Sequence, residues 1–349
     1  MYKKFFMGIA AIAALTLVSC SSDDLNSLSD NSSKNEAISF DGYLGRSAVA
    51  VNGTRGSVET TDKLKTDGFG VFSTYTGGDQ SSFSNFVNQK VTCPGTKWTY
   101  SPLKFWPTQG TINFFAYAPY VENKTLTNTS FEFTVDADVA KQTDLLWAKG
   151  QVKTNKEPVK FTFNHALSRL GYTVKLYGNY SSDDVTNKAK FELNQITLAG
   201  SADGKTPAFY KNATIDLSKA PSEGPWSKHS SDKQKFDWVS TPYELTSTDA
   251  YNPNKENNYL FVIPQNFSEK IGSAENPDKL YVIVEYTITY NDGKTQTNKV
   301  YKQLTHDFKQ GKAYMLNLTI GLPIEFDADV TDWGDDDSSN IDSWDDINH

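Results

Sequence analysis

Arginine is almost missing from this chain. Of 34 basic residues only Arg46, Arg55 and Arg169 are arginine, and the remaining 31 are lysine. A protease that reads arginine therefore meets very few targets. Cysteine is as scarce, with Cys20 and Cys93 alone, which excludes a disulfide framework and leaves stability to packed cores. The four histidines, His165, His229, His306 and His349, have no His or Cys neighbour at ligand spacing, which argues against a zinc centre. Asp335-Asp336-Asp337 lacks the glycine-turned loop and closing glutamate of a calcium site, so it reads as a solvated charge run. No nucleophile elbow, Walker loop or dinucleotide fingerprint occurs. The expectation is a non-enzyme with no cofactor. The formal net charge is −8 with no basic patch, which argues against nucleic-acid binding.

Long apolar runs are missing too, with one exception at the start. Phe5 to Val18 is uncharged and apolar behind Lys3 and Lys4, the length and flanks of a secretory signal peptide rather than a membrane span. Its end, Leu17-Val18-Ser19-Cys20, resembles a bacterial lipobox, in which the cysteine is acylated and opens the mature chain. Cys20 is thus the expected lipidation site, and Ser21-Ser22-Asp23-Asp24 looks like the acidic surface-export tag of Bacteroides-group lipoproteins. The address is the outer membrane, facing outward and anchored by lipid.

What is present is strand signal. Ser21 to Glu36 is a Ser/Asn/Asp-rich tether. Beyond it, short β-branched and aromatic segments recur: Phe69–Tyr75, Thr111–Tyr117, Ser130–Val135, Asp144–Ala148, Val159–Asn164, Gly171–Tyr177, Phe191–Leu198, Tyr259–Ile263, Leu280–Tyr290, Thr295–Gln303 and Lys312–Ile320. Asn291-Asp292-Gly293 separates two of them as a hairpin turn. The best helical stretch is the short His165–Leu170 segment. Gly200–Gly204 and Ala220–Lys235 read as loops. The pattern predicts an all-β protein of antiparallel sandwiches with one wet face per sheet. The organisation expected is a signal peptide over 1–19, a tether over 20–36, β-sandwich domains over 37–153 and 154–331, and an acidic tail over 332–349. From Glu325 to His349 there are ten acids and no Lys or Arg.

Several strings go further. Phe105-Trp106-Pro107 followed by Ile112-Asn113-Phe114-Phe115-Ala116-Tyr117-Ala118-Pro119 resembles a signature of the fimbrillins, the pilus subunits of Bacteroides-type bacteria. Gly68-Phe69-Gly70-Val71-Phe72, Asp144-Leu145-Leu146-Trp147-Ala148, Phe163-Asn164-His165-Ala166-Leu167-Ser168-Arg169-Leu170 and Val262-Ile263-Pro264-Gln265 are similar to other strings of that family, in family order. The resemblance implies two transthyretin-like β-sandwich domains in tandem and a lipoprotein precursor cut by a trypsin-like protease after an arginine. The first strand then leaves, and a strand from another pilin subunit fills the vacancy.

The residues suit that scheme. Ile38 and Phe40 mark the removable first strand, with Leu44 in phase. Two of the three arginines, Arg46 and Arg55, follow within ten positions of each other among small turn-forming residues, as a cuttable loop should; Arg55 is the first choice and Arg46 the second. Near the other end Ile324, Phe326, Ala328 and Val330 share one face of the cleanest period-2 alternation in the chain. That segment is either a donor strand or simply the last strand of the second domain. The extension beyond it favours a tip or accessory subunit over a shaft subunit. A host or bacterial surface ligand stays open. The alternative is a surface glycan-binding lipoprotein that uses Trp98, Tyr100, Trp106, Trp226 and Trp238 as aromatic platforms, with Trp226 and Trp238 the most exposed.

Overall fold

The structure, a computed structural model, describes residues 36–45, 59–151, 157–180, 188–239, 241–246, 259–268, 273, 278–320 and, as strand backbone, 325–332. Cys20, Arg46, Arg55 and Ile324 lie outside the described residues, as do the tether to residue 35 and the acidic tail from 333. The described residues are β-strands and connecting loops, with one α-helix among them.

Strands β1 (Phe40–Leu44), β2 (Phe69–Thr76), β3 (Gln89–Val91), β4 (Thr111–Ala118), β6 (Leu146–Lys149) and β7 (Val159–His165) form one sheet in the order β1-β7-β6-β4-β2-β3. Strand β5 (Ser130–Thr134) leaves it to pair with Asn212–Asp216. The division expected after residue 153 falls between β6 and β7, which pair with each other. The chain leaves this sheet at Ala166-Leu167 and starts β8 (Ser168–Leu176). His165–Leu170 is therefore not helical. Its polar-apolar spacing comes from a strand end and a strand start, each with its own buried face.

The sequence pattern predicts one wet face per sheet, and the centre of this sheet departs from that. Phe69, Val71, Phe114, Ala116, Leu146, Ala148, Phe161 and Phe163 pack into one core. The alternate residues Phe72, Phe115, Tyr117 and Trp147 point the other way, into a second core with Leu167, Leu170 and Tyr172. Consecutive apolar residues in Asn113–Ala118 and Leu145–Ala148 are what burial on both faces demands.

The second half contains a sheet in which Ala189–Ala199 (β9) lies beside Leu280–Tyr290, and that strand beside Thr295–Leu304. Gly293, at φ 79°, turns the connecting hairpin. Its outer face is polar, with Asn194 Nδ2 donating to Thr287 Oγ1 at 2.8 Å and Thr287 facing Thr297 at 3.0 Å. A second sheet runs Leu260–Val262, β8, Lys312–Ile320, Glu325–Asp332. The expected Ala220–Lys235 loop holds short strands at Trp226–His229 and Lys233–Gln234. The helix α1 (Thr61–Asp67) was not legible as a period. It buries one residue, Leu64, and is fixed by its ends: Thr60 accepts from Lys63 N–H, and Gly68, at φ 76°, donates to Leu64 O.

Candidate functional site

Strand β1 occupies a slot rather than a hairpin. Its residues pair in parallel with β7, Phe40 opposite Val159 through Leu44 opposite Phe163, inside a sheet whose other pairs are antiparallel. A parallel neighbour is joined only through a long connection, here nearly the whole first sheet. On the other flank the chain just before β1 meets Lys104–Trp106. Ile38 N–H donates to Lys104 O at 2.8 Å, Trp106 N–H donates to Glu36 O at 3.1 Å, and Ala37 bridges Phe105. Tyr100 Oη–H donates to Ile38 O at 2.7 Å. Val159 N–H donates to Ser39 O, and Gly45 N–H to Phe163 O.

The inward side chains fill the slot. Ile38 is 1% exposed, Phe40 5% and Leu44 9%. The Phe40 ring lies 5.2 Å from Phe86 and Tyr100 and 5.8 Å from Phe114 and Phe161. Burying three such side chains contributes about 5–9 kcal/mol gross. Between Phe40 and Leu44 the inward position is Gly42, where a Cβ would stand 2.8 Å from Phe69 Cε1. The wall also has bonds of its own: Lys104 Nζ donates to Ser84 O and Asn85 O and sits over the Phe86 ring. Burial pulls the Lys104 ammonium below the usual lysine range.

At the opposite end of the chain, Glu325–Asp332 pairs antiparallel with Lys312–Ile320, Phe326 opposite Leu318 and Ala328 opposite Leu316. It is the outermost strand of its sheet, paired on one flank. Of the arginines, Arg169 is 6% exposed with its guanidinium over the Tyr259 ring, so packing closes it to a protease.

A polar cluster sits around Glu59, where the described residues resume. Asp144 is 1% exposed. Its carboxylate faces His165 Nδ1 at 3.0 Å and accepts from Glu59 N–H at 2.8 Å. Glu59 is itself buried, and its Oε2 has no partner among the described residues. Burial first, then the negative charges of Asp144 and Asp67, push the Glu59 carboxyl up to about 8, with Lys63 opposing. Sequence reasoning missed this group. The signal was there, since Asp144 and His165 are polar residues inside otherwise apolar strings. Among the described residues no group of three or more His, Cys, Asp or Glu is placed to hold a metal ion.

The aromatics weighed as glycan platforms are packed. Trp106 and Trp238 are 7% exposed. Trp98 packs against Phe69, and Tyr100 against Phe40 and Phe86. The Trp226 indole N–H donates to Ala166 O at 2.6 Å and its half-buried ring packs against the second core, of which Trp238 is a buried member.

Residues 54–333 match the sequence profile of a family described as fimbrillin-like. The chain belongs to that family. The fimbrium subunit Fim1C of Phocaeicola vulgatus is 26% identical over 389 residues, spanning 95% of this chain and 97% of the relative. Among solved structures, a candidate cell adhesion protein from Bacteroides uniformis is similar at a TM-score of 0.48 and 17% identity, over 85% of this chain and 99% of that one. The tip fimbrial protein Mfa3 of Porphyromonas gingivalis, truncated at its C-terminus, is similar at a TM-score of 0.37 and 12% identity, over 76% and 94% of the two chains.

Proposed function

We propose that this fimbrillin-like chain is a structural subunit of a cell-surface fimbria, acting as a shaft, tip or accessory pilin. It is exported as a lipoprotein acylated at Cys20 and held at the outer membrane. A trypsin-like protease cuts it after Arg55 or Arg46, β1 departs, and a strand of another pilin subunit enters the slot. The two cores then belong to two transthyretin-like sandwiches in tandem.

The observation that carries this reading is the setting of β1. Together with Ile38 just before it, this outermost strand buries three side chains, it is tied to its sheet by no hairpin, and Lys104 in the wall beside it has bonds of its own to Ser84 and Asn85. Its loss uncovers a hydrophobic groove with unsatisfied backbone groups on both flanks, each costing about 1–3 kcal/mol while buried and unpaired. Such a groove is a template for strand addition. The outermost position of Glu325–Asp332 supports it as the strand that is given away.

The test is limited digestion of the full chain with an arginine-specific protease, followed by N-terminal sequencing and native gels. One early cut after Arg55 or Arg46, followed by a ladder of oligomers, is expected. A protein recovered from cell surfaces with its front intact and always monomeric would refute the assignment.

A further inference from the structure

The slot reads the size of what enters it, position by position. From Ile38 to Leu44 the inward order is large, large, none, large: Ile38, Phe40, Gly42, Leu44. The gap at the third position is enforced, because Phe69 and Phe163 fill the space a side chain would use. A Cβ there stands 2.8 Å from Phe69 Cε1 and 3.4 Å from Phe163 Cε2. A methyl group at that distance is admitted only if the Phe69 ring edge shifts, whereas a branched or aromatic side chain has nowhere to go.

The same order recurs near the other end of the chain. Ile324, Phe326, Ala328 and Val330 fall on one face with the same spacing, and run large, large, small, large. Laid over the slot in the same direction, Ile324 replaces Ile38, Phe326 enters the pocket of Phe86, Tyr100, Phe114 and Phe161, Ala328 takes the Gly42 position and Val330 replaces Leu44. Laid in the opposite direction, Phe326 falls on the Gly42 position and strikes Phe69. A shift of two residues puts either Phe326 or Val330 there. The alternate face agrees: Asp41 stands opposite Lys160, and Asp327 brings a carboxylate to the same place.

Building on the strand donation proposed above, we infer that residues 324–330 of a second copy of this chain fit the slot in one register and one direction, selected by the missing side chain at position 42. Phe69 is the specificity-determining residue, since its ring rejects any donor with bulk at the third inward position.

The experiment uses the full chain cut by an arginine-specific protease, with loss of β1 confirmed by N-terminal sequencing and mass. Two labelled peptides are titrated by fluorescence anisotropy, one spanning residues 322–332 and one the excised 36–46. Both are expected to bind the cut protein and neither the intact chain. The Ala328→Gly peptide should keep its affinity, and Ala328→Leu should lose about a hundredfold, the scale of overpacking a filled site. In a Phe69→Leu acceptor the Ala328→Leu peptide should regain affinity. Equal binding of the unaltered and Ala328→Leu peptides overturns the register. Binding of 36–46 without 322–332 overturns the choice of occupant while leaving the vacancy intact. Binding of neither, with β1 gone, overturns the strand-donation reading and the register together.

Discussion

Replacing Glu59 by glutamine should make the protein more stable at neutral and alkaline pH. The carboxyl is buried with an oxygen that no donor reaches, and it lies beside the Asp144 carboxylate. Its folded-state value of about 8 stands above the ordinary 4.5 of a free glutamate. Because the folded value is raised, the favourable contribution of the protonated form is complete below the unfolded value. It is lost as pH climbs through the window from 4.5 to about 8. At about 1.4 kcal/mol per unit, that window amounts to about 5 kcal/mol. Glutamine keeps the shape and cannot ionise. Urea unfolding of Glu59→Gln and the unaltered chain from pH 4 to 9 should give curves that converge at the acid end and separate steadily above pH 5. Titrating groups away from this cluster are common to both proteins and drop out of the difference. Parallel curves would refute the reasoning, and would mean that Glu59 reaches water or a counter-charge in the folded chain.

Two further outcomes follow from the same geometry. Phe40→Ala should lower the stability of the intact chain by about 3–5 kcal/mol in urea unfolding, yet leave the arginine-cut, assembled product indistinguishable from the unaltered one. A deficit that persists after cutting would show that β1 stays. His165→Ala leaves the buried Asp144 carboxylate with the Glu59 N–H but without its imidazole partner and should cost about 3–5 kcal/mol by the same assay; a loss under about 1 kcal/mol would show the pair to be hydrated.

Much of this molecule was legible in its strings. The central strands announced themselves through β-branched and aromatic runs, and Phe105–Pro119 with Asp144–Ala148 carried the family. What those runs concealed was their second face. An unbroken apolar string does not say which alternate residues meet which core, so Trp147 and Tyr117 gave no warning that they serve the second core. Parallel pairing of β1 with β7 was also hidden, because no turn residue marks a contact made across more than a hundred positions. The helix α1 escaped for the opposite reason: with one buried leucine it has no period, and its caps hold it. The half-buried setting of Trp226 was hidden by its polar neighbours, since the hydrogen bond that draws its ring inward goes to a backbone carbonyl.

The alignment of β1 with β7 has a mechanical consequence. Five successive residue pairs, Phe40 with Val159 through Leu44 with Phe163, lie side by side along one axis. Tension applied along that axis strains all of these contacts together, instead of opening them one after another like a zip. Strand β7 then continues directly through Ala166 into β8, so force taken up in the groove passes along the covalent chain into the second core without crossing a loose loop. A filament in which a donor strand takes over this pairing with β7 would yield only when a whole segment slides at once.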